Sequence, residues 1–240
     1  MSVKTARLSR ASSELAEAFN KNYILDFKIK RPFYLNPVHK EFYNCIKDPK
    51  TKIGFVDGPA GSMKTYIAVY AGLELIKQEE YSKIVYIRSI VESAEKSLGS
   101  LPGEIDDKFS PYAIPLDEKV IEIAGNGACN MLKQKGLIEA IPVNFVRGLT
   151  FNKTLVVVDE AQNLSRKELT TILTRFGRNS KYIVIGDCNQ ADVNKSGYKE
   201  IFNMFNTHQC RENDIFSFKF GTAEISRSKI LRFICSVLGT

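Results

Sequence analysis

The chain has 240 residues, of which 44% are hydrophobic and 25% charged, the balance of an ordinary globular protein with room for one large domain or two small ones. Its apolar runs are shorter than the roughly 18 residues that span a bilayer, and its first residues lack the apolar core of a signal peptide, which argues against a membrane protein. Five scattered cysteines and two histidines form neither a disulfide framework nor a metal cluster, so reduced thiols in a cytoplasmic protein are expected.

The formal net charge is +7, and much of the excess lies in a predicted basic N-terminal extension over residues 1–32. A basic balance favours acidic partners such as nucleic acid, but a charged face that only keeps a protein in solution has the same composition. Charge alone leaves both interpretations open. Within the extension, the serine-capped pattern of residues 12–21 predicts a helix.

The remaining residues, 33–240, alternate short β-rich runs with helical patterns. A proline-bounded stretch that becomes helical is followed by five predicted strands, in IGFVDG, IVYIRS, IEAIPV, TLVVVDE and KYIVIGD. Proline and glycine punctuate residues 96–118, and the chain closes with a predicted helix in SRSKILRFICSVL. Near-continuous apolar strands that alternate with helices indicate one α/β domain, with a mostly parallel sheet covered by helices on both faces.

The stretch GPAGSMKT, between a predicted strand and a predicted helix, nearly matches the phosphate-binding pattern G-x-x-x-x-G-K-[ST]. Its candidate nucleotide-binding residues are Gly58, Pro59, Ala60, Gly61, Ser62, Met63, Lys64 and Thr65. Lys64 offers a cation to the β- and γ-phosphates, and Thr65 offers a hydroxyl to magnesium. Met63 stands where the pattern has glycine, and helix-like backbone angles would tolerate it there with its side chain pointing away from the phosphates. The alternative is a decayed loop that binds weakly.

Two later predicted strands end in polar residues that suit nucleotide chemistry. Asp159 and Glu160 follow the apolar run LVVV, where the first suits magnesium coordination and the second suits polarising an attacking water. Asp187 ends the next strand, and Gln190 three residues later offers a neutral amide that senses a γ-phosphate. The alternatives are acids that only cap a strand and an ordinary strand-to-loop turn.

Four segments together resemble the PhoH-like ATPases, namely GPAGSMKT, RSIVESAEKSLGSLPGEIDDKFSPY, VVVDEAQN and LTRFGRNSKYIVIGDCNQ. The likeness covers about residues 33–238. SLPG and DEAQN are rather specific to that family, whereas DEAQ and GD-x-x-Q also resemble motifs of superfamily-one helicases. The resemblance implies a single RecA-like lobe that binds and hydrolyses ATP with Mg²⁺, is linked to RNA or single-stranded nucleic acid, and assembles as a homo-oligomer.

The resemblance also assigns roles to residues. Lys64, Glu160, Gln190 and Arg227 match the catalytic set, Thr65 and Asp159 match the magnesium ligands, and His39 stands where the family commonly carries an adenine-reading glutamine. A neutral imidazole can still make one hydrogen bond to adenine, although a histidine that only caps or lines a helix is the alternative.

Arg88 belongs to a segment that resembles a nucleic-acid motif of helicases, and Lys108, Phe109 and Tyr112 lie in a predicted loop whose aromatic rings could stack on unpaired bases. Core or hinge packing is the alternative for the two rings.

A single lobe needs a neighbouring subunit to close its site, so a ring of six is expected. Arg227 is the first candidate for an arginine acting from that neighbour, with Arg175 and Arg178 as alternatives, one of which could act within its own chain. The function favoured by these residues is an ATPase acting on RNA or single-stranded nucleic acid. The alternatives are a nucleotide-gated binding module with little turnover and another P-loop enzyme such as a small-molecule kinase.

Overall fold

The computed structural model describes residues 27–30, 35–89, 105–190 and 196–238, with backbone alone over 105–111. The helix predicted over residues 12–21 and most of the basic extension lie outside the described residues. Over the described part of the chain, no helix combines the length and the hydrophobicity needed to cross a membrane.

One six-stranded sheet forms the centre of the molecule, and every pairing in it is parallel. The strands are β1 (Ile53–Asp57), β2 (Lys83–Arg88), β3 (Ile138–Pro142), β4 (Thr154–Asp159), β5 (Lys181–Gly186) and β6 (Ile215–Lys219), and their order across the sheet is β3-β2-β4-β5-β1-β6. The predicted parallel sheet is therefore confirmed. β6 was not predicted, because a half-buried strand at the sheet edge lacks the continuous apolar run of the central strands.

Helices cover the sheet on both sides. They are α1 (Pro37–Lys47), α2 (Lys64–Lys77), α3 (Ile105–Ala124), α4 (Asn126–Gln134), α5 (Arg166–Leu173), α6 (Tyr198–Phe205), α7 (His208–Glu212) and α8 (Lys229–Leu238), with short 3₁₀ turns at Val143–Phe145, Ala161–Asn163 and Thr222–Glu224. Local signals set several helix starts. Pro37 occupies the first turn of α1 and Asn36 caps it, while Ser165 and Glu168 form a capping box on α5.

The alternation of side chains along each strand divides the core into two layers. In β4, Leu155 and Val157 pack in the layer that holds the apolar faces of α1, α2 and α3. Val156 and Val158 point to the opposite layer, with α5 and α6. A strand interior that is buried on both faces favours apolar residues throughout, which explains the continuous run LVVV before Asp159. The same arrangement leaves the carboxyl ends of β1, β4 and β5 together at one edge of the sheet.

The proline- and glycine-punctuated segment contains a long helix rather than an extended loop. α3 begins at Ile105 and continues through Pro115 to Ala124. The second half of α3 is stabilised by packing, because Leu116, Val120 and Ile123 recur at helical spacing and are fully or almost fully buried in the core. The candidate nucleic-acid residues Lys108, Phe109 and Tyr112 therefore belong to this helix, and the prediction of a loop around them was wrong.

Candidate nucleotide site

A cavity of about 740 Å³ opens at the carboxyl edge of the sheet. Four parts of the chain line it: the phosphate loop with the first turn of α2, the ends of β2, β4 and β5 with the residues just after them, one side of α3, and the turn before α8. The carboxyl edge of a parallel sheet is where open α/β folds bind ligands. The sequence motifs, which lie far apart along the chain, thus meet in one cavity.

The phosphate loop turns through two left-handed residues, Gly61 with φ 77° and Met63 with φ 64° and ψ 11°. Met63 is the N-cap of α2, so the expectation of helix-like angles was wrong. A side chain in this region costs roughly 1 kcal/mol or more, since its β-carbon crowds the neighbouring carbonyl. The Met63 side chain packs partly against the core and partly lines the cavity. Gly58 is required for a different reason, because a β-carbon there would lie 2.7 Å from Phe220 Cβ.

The Lys64 amine is folded onto its own loop. Its Nζ donates to the carbonyl oxygens of Gly58 at 2.5 Å and Pro59 at 2.8 Å, and lies 3.3 Å from Ser62 Oγ. Burial lowers the pKa of Lys64, while the nearby carboxylates of Asp187 and Asp159 oppose this shift. The loop carbonyls hold the amine in position.

Thr65 and Asp159 meet across the cavity. The Thr65 hydroxyl donates to Asp159 Oδ1 at 3.0 Å, and the Glu160 N–H donates to the same oxygen at 3.0 Å. The Tyr86 hydroxyl donates to Asp159 Oδ2 at 2.5 Å. These contacts fix both carboxylate oxygens, and sequence reasoning had missed Tyr86, whose only signal was a hydroxyl within the buried strand IVYIR.

The Thr65 hydroxyl and the Asp159 carboxylate fit magnesium only if a phosphate completes its coordination. No cluster of three or more His, Cys, Asp or Glu side chains suited to a metal occurs within the described ranges. Magnesium favours sites with one or two protein carboxylates completed by substrate phosphates and water, and Thr65 with Asp159 matches that arrangement.

Glu160 adopts a left-handed conformation with φ 51° and ψ 41° directly after β4. Its Oε1 lies 3.7 Å from the Arg88 guanidinium, and its Oε2 accepts a hydrogen bond from Gln162 Nε2 at 2.5 Å. Burial raises the pKa of Glu160, the neighbouring Asp159 raises it further, and Arg88 opposes both. The carboxylate is therefore held at the cavity wall by a side chain on each oxygen.

Gln162 connects the ends of two strands. Its Oε1 accepts from the Asp187 N–H at 3.1 Å while its amide nitrogen holds Glu160. Gln162 stands within the DEAQN motif, but sequence reasoning gave it no role. Asp187 Oδ2 is buried and has no hydrogen-bond partner among the residues that the structure describes, and Gln190 lines the cavity nearby.

His39 lies behind the phosphate loop and does not line the cavity. The side chain is 2% exposed, its Nε2 donates to the Ser62 carbonyl at 3.1 Å, and its ring meets Phe220 edge-on at 5.1 Å. The donor must be Nε2 because a carbonyl oxygen only accepts. Burial lowers the pKa of His39, which favours the neutral ring. This placement favours a histidine that supports the loop over one that reads a base.

Arg227 lines the cavity of its own chain. The preceding Ser226 N–H donates to the Gly61 carbonyl at 3.2 Å, which ties the turn before α8 to the phosphate loop. The alternative arginines lie elsewhere, since Arg175 O and Arg178 O accept from Phe151 and Lys153 just before β4, at the opposite edge of the sheet.

Among the nucleic-acid candidates, the structure brings only Arg88 into the cavity wall. Tyr112 is half-buried on α3, and the side chains of Lys108 and Phe109 fall outside the described part.

Parallel strand order, a glycine-turned loop before α2, and acids at the ends of β4 and β5 define a RecA-like P-loop fold. Comparison with family models matches residues 34–238 to the family described as PhoH-like protein, and the chain belongs to that family. The predicted family resemblance is confirmed, and family membership supports nucleotide binding.

Curated relatives of the chain are named PhoH or PhoH-like protein. The chain is 39% identical over 156 residues to a PhoH-like protein of Bacillus subtilis, covering 65% of this chain and 48% of the relative. It is 36% identical over 166 residues to a PhoH-like protein of Mycobacterium tuberculosis, covering 69% and 46%. It is 33% identical over 141 residues to Protein PhoH of Escherichia coli, covering 58% and 40%. The matches thus span less than half the length of these relatives.

Proposed function

We propose that this chain binds ATP with Mg²⁺ and hydrolyses it, and that turnover is coupled to RNA or single-stranded nucleic acid. The observation that carries the proposal is the meeting of Thr65 with Asp159 at 3.0 Å, because it joins the phosphate loop to the acidic strand end in one chain. A phosphate loop alone suits an anion, and an acidic strand end alone suits a cation. The two together suit a metal–triphosphate.

Each group of cavity residues has its own role in binding or hydrolysing the nucleotide. The N–H groups at the start of α2 and the Lys64 amine bind the phosphates, and the helix dipole favours their negative charge. Thr65 and Asp159 hold Mg²⁺, which neutralises phosphate charge when bound. Glu160 orients the attacking water, and Gln190, which also lines the cavity, senses the γ-phosphate. Arg227, at the wall of its own cavity, offers a cation to the charge that develops on the transferred group.

Two substitutions test the site. Lys64→Ala is expected to abolish hydrolysis and strongly weaken ATP binding, because the phosphates lose their main side-chain cation. Glu160→Gln is expected to keep binding and slow turnover by about two orders of magnitude or more, since only the water loses its partner. Glu139→Gln, at an exposed ion pair on β3, is the matched control. Equal turnover in all four proteins would contradict the site.

The same assay separates the competing functions. Tight binding with negligible turnover, with or without single-stranded RNA, would favour a nucleotide-gated binding module. Turnover that depends on a small phosphoryl acceptor would favour a kinase.

Nucleic-acid binding is proposed for a surface that includes Arg88 and the basic residues 1–31. Contacts of lysine and arginine with phosphates release counterions, so the logarithm of the affinity is expected to fall linearly with the logarithm of salt concentration. Deleting residues 1–31 tests the extension: unchanged affinity for single strands at low salt removes it from the surface.

A homo-oligomer, as a ring of six, is proposed because one lobe leaves the cavity open. The placement of Arg227 within its own cavity now favours action in the same chain over action on a neighbour. Mixing Lys64→Ala chains with Arg227→Ala chains decides between them. Activity regained in the mixture, which neither variant shows alone, requires an arginine from the neighbour, whereas a mixture that stays inactive supports action within the chain.

A further inference from the structure

Tyr66 is the one aromatic side chain among the described residues that line the cavity. It follows Thr65 directly in the first turn of α2, and it is half-buried rather than enclosed in the core. Met63 and four residues of α3 also line the cavity, namely Pro115, Glu118, Lys119 and Glu122.

The Tyr66 ring is supported from behind. It lies parallel to the ring of Tyr70, one helical turn later, with an interplanar angle of 12° and centroids 6.3 Å apart. Tyr70 is 7% exposed and in turn meets Tyr43 of α1 at 5.9 Å. A ring held by a buried neighbour presents a flat surface in a fixed orientation, which reduces the entropy lost when a second ring stacks on it.

The cavity is larger than the phosphates require. Lys64, Thr65 and Asp159 account for a metal–triphosphate, yet the cavity reaches about 740 Å³, within the range of sites that hold whole small molecules. The nucleoside therefore needs a place in the remaining wall. The position where the family commonly reads adenine is taken by His39, which is buried behind the loop and bonded to Ser62 O.

We propose that the compartment between Met63, Tyr66 and α3 takes the base of the bound nucleotide, and that Tyr66 is the surface on which the base stacks. This inference rests on the proposed nucleotide binding. Each base has a flat π face, and stacking on an aromatic side chain needs no particular hydrogen-bond pattern. The Met63 thioether beside it is flexible and contacts aromatic rings favourably. Glu118 adds an acceptor that matches the single exocyclic amino group of adenine, while Glu122 is paired with Lys119 at 2.9 Å.

Comparing ATP with inorganic tripolyphosphate separates the base from the phosphates. The dissociation constants of both are measured by calorimetry with Mg²⁺ on the full chain and on Tyr66→Ala, Tyr66→Leu and Tyr66→Phe. Removing a stacking ring is expected to weaken ATP binding about 10-fold or more, since such contacts typically change affinity by that factor. Tripolyphosphate binding should change less than about 2-fold, and Tyr66→Phe should retain the affinity for both.

Tyr43→Ala is the matched control, because it removes a half-buried tyrosine of the same aromatic row that does not line the cavity. Its ATP affinity should stay near that of the wild type, which separates lost stacking from a loosened α1–α2 contact. Unchanged ATP affinity in both Tyr66→Ala and Tyr66→Leu overturns the stacking role, and so does an equal loss for ATP and tripolyphosphate. A wild-type chain that binds neither ligand overturns the proposed function and this inference together.

Discussion

The Arg88 guanidinium lies 3.7 Å from Oε1 of Glu160, so the end of β2 contacts the end of β4 through an ion pair in the cavity wall. The side chains are 31% and 37% exposed, and an ion pair this accessible is worth less than about 1 kcal/mol. Because the pair is weak, another anion can replace Glu160 as the partner of Arg88. Under the proposed function, a polynucleotide phosphate would compete with Glu160 for Arg88 and so act on the proposed water-orienting carboxylate.

Arg88→Ala is expected to uncouple turnover from nucleic acid. The ratio of ATPase rates with and without single-stranded RNA should fall towards one, while the dissociation constant of Mg-ATP changes less than about 3-fold. The measurement is steady-state turnover against RNA concentration. Arg166→Ala, which breaks an exposed ion pair with Glu200 elsewhere on the surface, is the control. A stimulation ratio that survives in Arg88→Ala contradicts the connection.

Tyr86→Phe is expected to weaken magnesium-dependent binding of ATP. The change leaves Asp159 Oδ2 without its buried donor, which should lower the free energy of unfolding by about 1 to 2 kcal/mol. It should also move the magnesium dependence of nucleotide binding to several-fold higher concentration, because Asp159 loses its fixed orientation. Tyr182→Phe on β5 is a close control, since its buried hydroxyl has no partner among the described residues. Identical behaviour of the two variants would count against an orienting role for Tyr86.

Met63→Gly is expected to stabilise the protein. Glycine adopts φ 64° without the crowding that a β-carbon causes, so the free energy of unfolding should rise by about 0.5 to 1 kcal/mol, with only a modest change in ATP affinity. Met204→Gly provides the opposite case, because Met204 is 53% exposed within α6 and glycine weakens a helix by about 1 kcal/mol. Urea denaturation of both variants checks the sign. A loss of stability at both positions would mean that the left-handed angle of Met63 carries no strain.

The buried Lys181 is expected to make the free energy of unfolding depend on pH. Its side chain is fully buried, and its amine donates to Ile46 O and Asp48 O at the end of α1. Burial lowers the pKa of Lys181 from 10.5 to about 8. The fold therefore disfavours the charged amine, so its contribution to stability rises with pH between about 8 and 10.5.

The test compares wild type with Lys181→Met by denaturation at pH 7.5 and pH 9.5. Wild type should gain about 1 to 2 kcal/mol relative to the variant over this interval. Parallel pH profiles for the two proteins would show that Lys181 stays charged in the folded state.

The sequence determined the parts of this protein that are encoded locally. The apolar runs that end in Asp159 and Asp187 predicted buried parallel strands, because a strand covered on both faces favours apolar residues throughout. The spacing within GPAGSMKT placed a phosphate loop between β1 and α2, because a glycine-turned loop before a helix N-terminus is a local pattern of backbone angles and donors. The terminal helix was predicted for the same kind of reason, and the family resemblance followed from these contiguous motifs.

The tertiary structure decided which side chains meet. Tyr86 and Gln162 were overlooked because a hydroxyl or amide acquires its role from a partner on another strand, and sequence spacing does not report that distance. His39 lies behind the loop and Arg227 lines the cavity, because the packing of α1 and of the turn before α8 fixes these positions, which sequence spacing does not report. Met63 took a left-handed angle as the N-cap of α2, so the path of the loop into the helix overrides the preference of the residue itself.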